Sequence, residues 1–314
     1  MTIRRLSFIC IVLTYLLIVF GGYVASSESG MGCGPEWPLC NGKVIPTLQG
    51  ETLIEFMHRV IGAVLGGLSI ILFFKLMHEK NGYTARFISV MMIGLLIIQV
   101  LLGAVVVVLD LPSIIITIHL LVAAVFLACL IWIWRNSGDK ERVYSVFFKA
   151  VEHKRITMHI NILIFLLLLT LAFGAYIKHE TYGLACGWIG CRQSFLPSTT
   201  PEWLQTIHRG LAVMTADYIL LLTYWAFVRK WGRGLQRRFL LCLLFVILQL
   251  VIGVVVIETL VAIPWAVFHL AIGTVLFAFV SEARFYAGDR MLQSIASSTA
   301  VGYWHGGQDR RSMD

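Results

Sequence analysis

Eight separate stretches of this chain are each long and apolar enough to cross a hydrocarbon core about 30 Å thick, which takes about 20 helical residues. They lie near 6–24, 53–77, 86–109, 112–134, 157–178, 202–228, 236–258 and 262–285. Lipid offers backbone N–H and C=O groups no partner, so a spanning segment of this kind must bond within itself as a helix. The fold expected is therefore an all-α integral membrane protein of eight transmembrane helices. Composition agrees: hydrophobic residues make up 59% and charged ones 13%, the balance of a membrane protein. A net charge of +8 would otherwise invite a nucleic-acid reading. The basic residues sit between the apolar blocks, however, so they read as loop charge at a lipid bilayer and no nucleic acid is expected as a partner.

The same charges orient the chain. Arg4 and Arg5 precede the first block, and Lys75, Lys80 and Arg86 flank the second connection. Six Lys/Arg lie between Arg135 and Arg155, and Arg229, Lys230, Arg233, Arg237 and Arg238 crowd the sixth connection. The alternate connections hold little more than Lys43, Lys178 and Arg192. Basic residues stay in the cytoplasm, which places both termini there and the two long loops, 25–52 and 179–201, outside. The first block could pass for a signal peptide, but it is longer than a usual signal core. Phe20-Gly21-Gly22-Tyr23-Val24 also resembles the internal Phe173-Gly174-Ala175-Tyr176-Ile177, so the block is kept as a helix.

That likeness belongs to a larger one. His58-Arg59 recurs 150 residues on as His208-Arg209, and the same offset relates Gln99 to Gln249, Gly103 to Gly253 and His119 to His269. Five pairs at one offset mean an internal duplication. The expected organisation is two tandem, pseudo-symmetric four-helix bundles, residues 1–150 and 151–290, followed by a cytoplasmic tail, 291–314. The Phe-Gly likeness runs at an offset of 153, so the outer loop of the first half is expected to be three residues shorter, or the second correspondingly adjusted.

The four duplicated histidines carry the chemistry. Each lies five to eight residues inside an even-numbered helix, roughly 8–12 Å below the outer boundary at 1.5 Å per residue. Level imidazoles on facing helices of a bundle are what a bis-histidine haem requires. A hydrogen-bonded core histidine is the alternative for any one of the four, and a proton relay is another use for intramembrane ionisable groups. Zinc is disfavoured, because no Cys, Asp or third His is suitably spaced. His78, His153 and His305 fall in polar segments and His159 and His179 have no duplicated partner, so these five read as structural or solvated.

The halves differ at one telling position. Glu55 lies three residues before His58, whereas its counterpart is Gln205. Thr52-Leu53-Ile54-Glu55 has the form of a capping box, and the second half caps with Thr200, Pro201 and Glu202. A carboxylate beside one haem and an amide beside the other would equally suit one reactive site and one redox site. Arg59 and Arg209 could pair with haem propionates or snorkel to lipid phosphate. Cys33/Cys40 and Cys186/Cys191, in the outer loops, read as two short-range disulfides, one per half, in a compartment that favours them. Gly62-x3-Gly66 reads as ordinary helix packing.

With these residues assembled, the chain resembles the haem A synthases, specifically the bacterial type with a cysteine pair in each half. The likeness covers roughly residues 6–286. It rests on Gly-Cys-Gly-Pro-Glu-Trp-Pro-Leu-Cys (32–40), Glu-Phe-Met-His-Arg (55–59), Gln99 with Gly103, His119, His208-Arg209, Gln249 with Gly253, and His269. The resemblance implies oxidation of a ring methyl group of haem O to a formyl group, giving haem A for haem-copper terminal oxidases. It implies a resident haem b on His208 and His269, and substrate haem O on His58 and His119 with Glu55 as the acidic catalytic residue. It also implies a functional role for Cys33 and Cys40, a bacterial cell membrane location, and haem O synthase or terminal oxidase assembly factors as partners. A dihaem b-type electron carrier is the competing class, but a transmembrane carrier should place its haems near opposite faces, and all four histidines here lie near one. A repeat-built transporter should show broken helices at the midplane; Pro112 and Pro264 sit at helix starts instead.

Overall fold

The computed structural model describes residues 1–78, 83–137, 150–187, 190–191 and 196–306. Lys80, Lys140, Arg142, Lys149 and Arg192, which helped to orient the loops, lie outside the described residues. Eight helices carry the fold: α1 Ile3–Ser26, α2 Gly50–His78, α3 Tyr83–Val108, α4 Ser113–Asn136, α5 Ala150–His179, α6 Thr200–Val228, α7 Arg233–Glu258 and α8 Ile263–Gly306. Each contains a stretch long and apolar enough to cross a membrane, and the protein is a multi-pass membrane protein. In α8 that stretch is Ile263–Gly288, and the helix runs on past it to Gly306.

In each half the helices pack as a ring. α1 lies against α2 and α4, and α3 closes the ring between α2 and α4. α5, α6, α7 and α8 repeat the arrangement. The even-numbered helices of each half thus stand opposite one another across the bundle centre. The halves join where α1 and α4 meet α8 and where α4 meets α5. Leu127 and Ile131 of α4 and Ile18 of α1 pack there against Leu270, Ala278 and Phe285 of α8. That central position explains why α4 and α8 are the most buried of the eight spans, while α3 is the least. On α3, Ile97, Ile98, Val100 and Leu101 face outward, toward lipid as apolar as themselves.

Several hydroxyl groups inside the spans are satisfied by their own helices, as a medium without water favours, although the buried Ser281 hydroxyl of α8 meets no partner. Thr14, Ser69, Thr117, Thr215, Thr223 and Thr274 each donate to the carbonyl four residues back, at 2.7–2.8 Å. At the end where α1 begins, Glu282 of α8 accepts from Arg135 of α4 at 2.6 Å and from Arg238 of α7 at 2.5 and 2.8 Å. Both guanidinium groups lie over the Tyr286 ring, at 4.7 and 3.7 Å. This network ties the first half to the second and was not anticipated, because no local spacing links residues so far apart in the chain.

The duplication extends to backbone conformation. Glu28 and Thr181 are both left-handed, at φ 58 and 60°, and each opens a 3-10 turn, Ser29–Met31 and Tyr182–Leu184. Two consecutive left-handed residues, Asp110-Leu111 at 60 and 59°, recur as Leu260-Val261 at 55 and 61°. Non-glycine residues seldom adopt this region, so repeated pairs are a structural mark of the repeat. The loop between α1 and α2 (27–49) is three residues longer than that between α5 and α6 (180–199), not shorter as expected, because an offset that falls from 153 to 150 across the loop leaves the extra residues in the first half. Gly66 has no atom within 4 Å of where a Cβ would stand, so Gly62-x3-Gly66 does not form a close helix crossing.

Candidate functional site

His58 and His208 lie eight residues into α2 and α6, and His119 and His269 lie six into α4 and α8. At 1.5 Å per residue both pairs sit about 9–12 Å inside the same end of the molecule. Their helices face each other diagonally across each bundle. The Nδ1 atoms of all four are buried and meet no hydrogen-bond partner, as do the Oε1 atoms of Gln99 and Gln249. Gln249 Nε2 lies 3.1 Å from His269 Nε2. Each ring also lies edge-on against a glycine of an odd-numbered helix: His58 on Gly21, His119 on Gly103, His208 on Gly174 and His269 on Gly253.

Above the histidines sit the two cysteine loops. The sulfur atoms of Cys33 and Cys40, and of Cys186 and Cys191, stand at disulfide distance, 2.00 Å in each pair. Cys10, Cys129 and Cys242 are free and buried in the spans. Denatured, unreduced protein is therefore expected to expose three thiols to alkylation. Mass spectrometry that found five or seven alkylated cysteines would show one or both loops unbridged.

Glu55 is not the helix cap that its spacing suggested. α2 begins earlier, at Gly50 in a left-handed conformation, so Glu55 falls in the second turn. Its buried carboxylate reaches up to the loop instead. Oε2 accepts from the Cys33 backbone N–H at 2.7 Å, and Oε1 accepts from Arg59 at 2.5 and 3.0 Å. Arg59 donates in turn to the Leu39 carbonyl at 3.0 Å, so the ion pair grips both ends of the loop. Thr52, the presumed cap, donates to Gly32 O at 2.7 Å. The second half makes the same latch with neutral chemistry: Gln205 accepts from Cys186 N–H at 2.6 Å and donates to Gly183 O at 2.7 Å. Arg209 donates to Cys186 O at 3.2 Å. The cap of α6 is also one residue earlier than expected, a capping box formed by Thr199 with Glu202.

The donor sets decide what such a site could hold. Among the described residues no cluster of three or more His, Cys, Asp or Glu could bind a metal ion. Two imidazoles per site suit an iron that brings four ligands of its own, which a porphyrin does and zinc does not. Four buried ring nitrogens without partners, at symmetric positions, point the same way, because a buried polar atom left unmet costs about 1–3 kcal/mol. The residues fit a haem in each half. His159, by contrast, is satisfied by Tyr218, 2.7 Å from Nδ1 to the hydroxyl, and is structural.

Fold and site together define a class: duplicated helical membrane proteins with two pairs of histidines facing across bundle interiors. Residues 4–281 match the COX15-CtaA family, described as cytochrome oxidase assembly protein, and the chain belongs to that family. It is similar to the protein named heme A synthase of Shouchella clausii, 30% identical over 289 residues covering 88% of this chain and 94% of the relative. The heme A synthase of Exiguobacterium sibiricum is 31% identical over 261 residues, covering 80% and 84%. That of Bacillus licheniformis is 28% identical over 283 residues, covering 85% and 90%.

Proposed function

We propose that this chain is a haem A synthase, a membrane oxidoreductase that oxidises a ring methyl group of haem O to the formyl group of haem A. The family membership and the relatives' names support this reading. One structural observation carries it furthest. Two equivalent histidine sites differ in the group latched beside them, a carboxylate at Glu55 in one and an amide at Gln205 in the other. Chemistry in one site and electron transfer in the other would need that kind of difference.

His58 and His119 would hold the substrate haem O by its iron, and His208 and His269 a resident haem b. When bound, the haem supplies the redox chemistry, and the protein supplies ligation, access and proton traffic. The carboxylate of Glu55 would take up a proton or stabilise positive charge near the substrate, a task closed to the neutral Gln205. Arg59 and Arg209 are the candidate propionate contacts. A propionate would compete with Glu55 for Arg59, whereas Arg209 gives a single hydrogen bond to the loop. The apolar side chains around both histidine pairs would limit the access of water to a bound haem.

The cysteine loops and histidines would face the outside of a bacterial cell membrane and both termini the cytoplasm. Arg4, Arg5, Arg229, Arg233 and Arg238 at one end, and disulfides at the other, support that orientation. The reaction needs a supply of haem O and an acceptor for haem A, so a haem O synthase and terminal oxidase assembly factors are the expected partners.

Extraction and chromatography of the haems from purified protein tests the proposal. Haem B together with haem O or haem A is expected. Haem B alone would overturn it in favour of a dihaem electron carrier.

A further inference from the structure

We infer that Gly174 and Gly253, with Gly21 as the first-half counterpart of Gly174, are positioning residues that set the orientation of the ligand imidazoles. The inference rests on the haem reading above but concerns residues that reading does not use. In each half the histidines stand on even-numbered helices, and the glycines stand on the odd-numbered helices between them. A Cβ added at Gly174 would stand 2.9 Å from His208 Cε1, at Gly21 3.0 Å from His58 Cε1, and at Gly253 3.2 Å from His269 Cε1. In each case the nearest atom is the ring edge between the two nitrogens. The four Nδ1 atoms are buried without hydrogen-bond partners, and at His269 the Gln249 amide approaches the other nitrogen at 3.1 Å. Whichever nitrogen takes the iron, the edge between the two packs on the glycine, and that contact helps to set the plane of the ring.

A methyl group at position 174 would lift the His208 ring from its seat. It would push the ring away from α5 and move both nitrogens, which stand 3.5 Å from the added carbon. A ligand displaced by about 0.5 Å is already outside productive geometry. The helix itself has nothing to lose, since alanine is the better helix former. Gly103 is the loosest seat, with His119 Cε1 at 3.4 Å, and should tolerate alanine best. The pattern also accounts for the repeat of Phe-Gly and Gln-x3-Gly in both halves, which periodicity alone left unexplained.

The test uses electron paramagnetic resonance of the resident haem in purified full-length protein. Gly174→Ala is expected to shift the low-spin g-values and move part of the haem to a high-spin signal, and Gly253→Ala to do so less. Gly210→Ala is the control: it lies on α6 two residues from His208, with no atom within 4 Å of its Cβ position. An unchanged signal in Gly174→Ala overturns the inference, as does an equal shift in Gly210→Ala. Should Gly174→Ala fail to accumulate, Gly253→Ala decides by the same criterion. His208→Ala, run in parallel, separates the two levels. Haem lost there with Gly174→Ala unchanged removes the seat and leaves the haem reading. Haem retained unaltered there removes both.

Discussion

Glu55→Gln protein is expected to fold, to keep its resident haem b and to form haem A roughly 10²–10⁴-fold more slowly, the usual loss when a positioned acid–base group is removed. The second half of the molecule shows why folding should survive. Gln205 accepts the Cys186 N–H at 2.6 Å in the position where Glu55 accepts that of Cys33. An amide can therefore hold the cysteine loop. Arg59 would lose the carboxylate yet keep the Leu39 carbonyl, much as Arg209 sits beside Gln205 and donates to Cys186 O. Only the negative charge has no substitute. Steady-state conversion of haem O, measured together with the haem b spectrum, checks this. Near-normal haem A formation would reduce Glu55 to a loop latch.

His208→Ala or His269→Ala should abolish the low-spin haem b absorbance altogether. Changes behind a metal ligand cost roughly 10–100-fold in affinity, and here the ligand itself goes, in a site where water is scarce. Among the described residues no group of three His, Cys, Asp or Glu side chains is gathered there to replace it. His58→Ala and His119→Ala should instead spare the haem b spectrum and stop conversion, because their site lies in the other bundle. Visible spectra of the four purified variants distinguish the halves. A full low-spin band in His208→Ala or His269→Ala would reject the assignment of resident haem to the C-terminal half.

The sequence placed the helices well because crossing lipid leaves a chain little choice. The predicted segments 53–77 and 202–228 correspond to α2 Gly50–His78 and α6 Thr200–Val228. The histidine pairs were equally legible, since a duplication repeats what it preserves at a fixed offset. Glu55 stands out in the sequence, but of its two readings there the helix cap is not the one the fold makes. Its cap-like spacing from Thr52 is a local pattern, and the partner it found, Cys33 N–H, is 22 residues away.

What the sequence determined by itself, then, was everything governed by local or periodic constraint: eight helices, a repeat at a fixed offset, level histidines and paired loop cysteines. Tertiary structure decided which surfaces meet. It set α2 opposite α4 and α6 opposite α8, laid the cysteine loops on Glu55 and Gln205, and joined the halves through Arg135, Arg238 and Glu282. It also brought glycines of the odd helices under the histidine rings. Such contacts depend on how helices of similar apolarity pack in lipid, where shape and hydrogen bonding choose the partner and hydrophobicity does not.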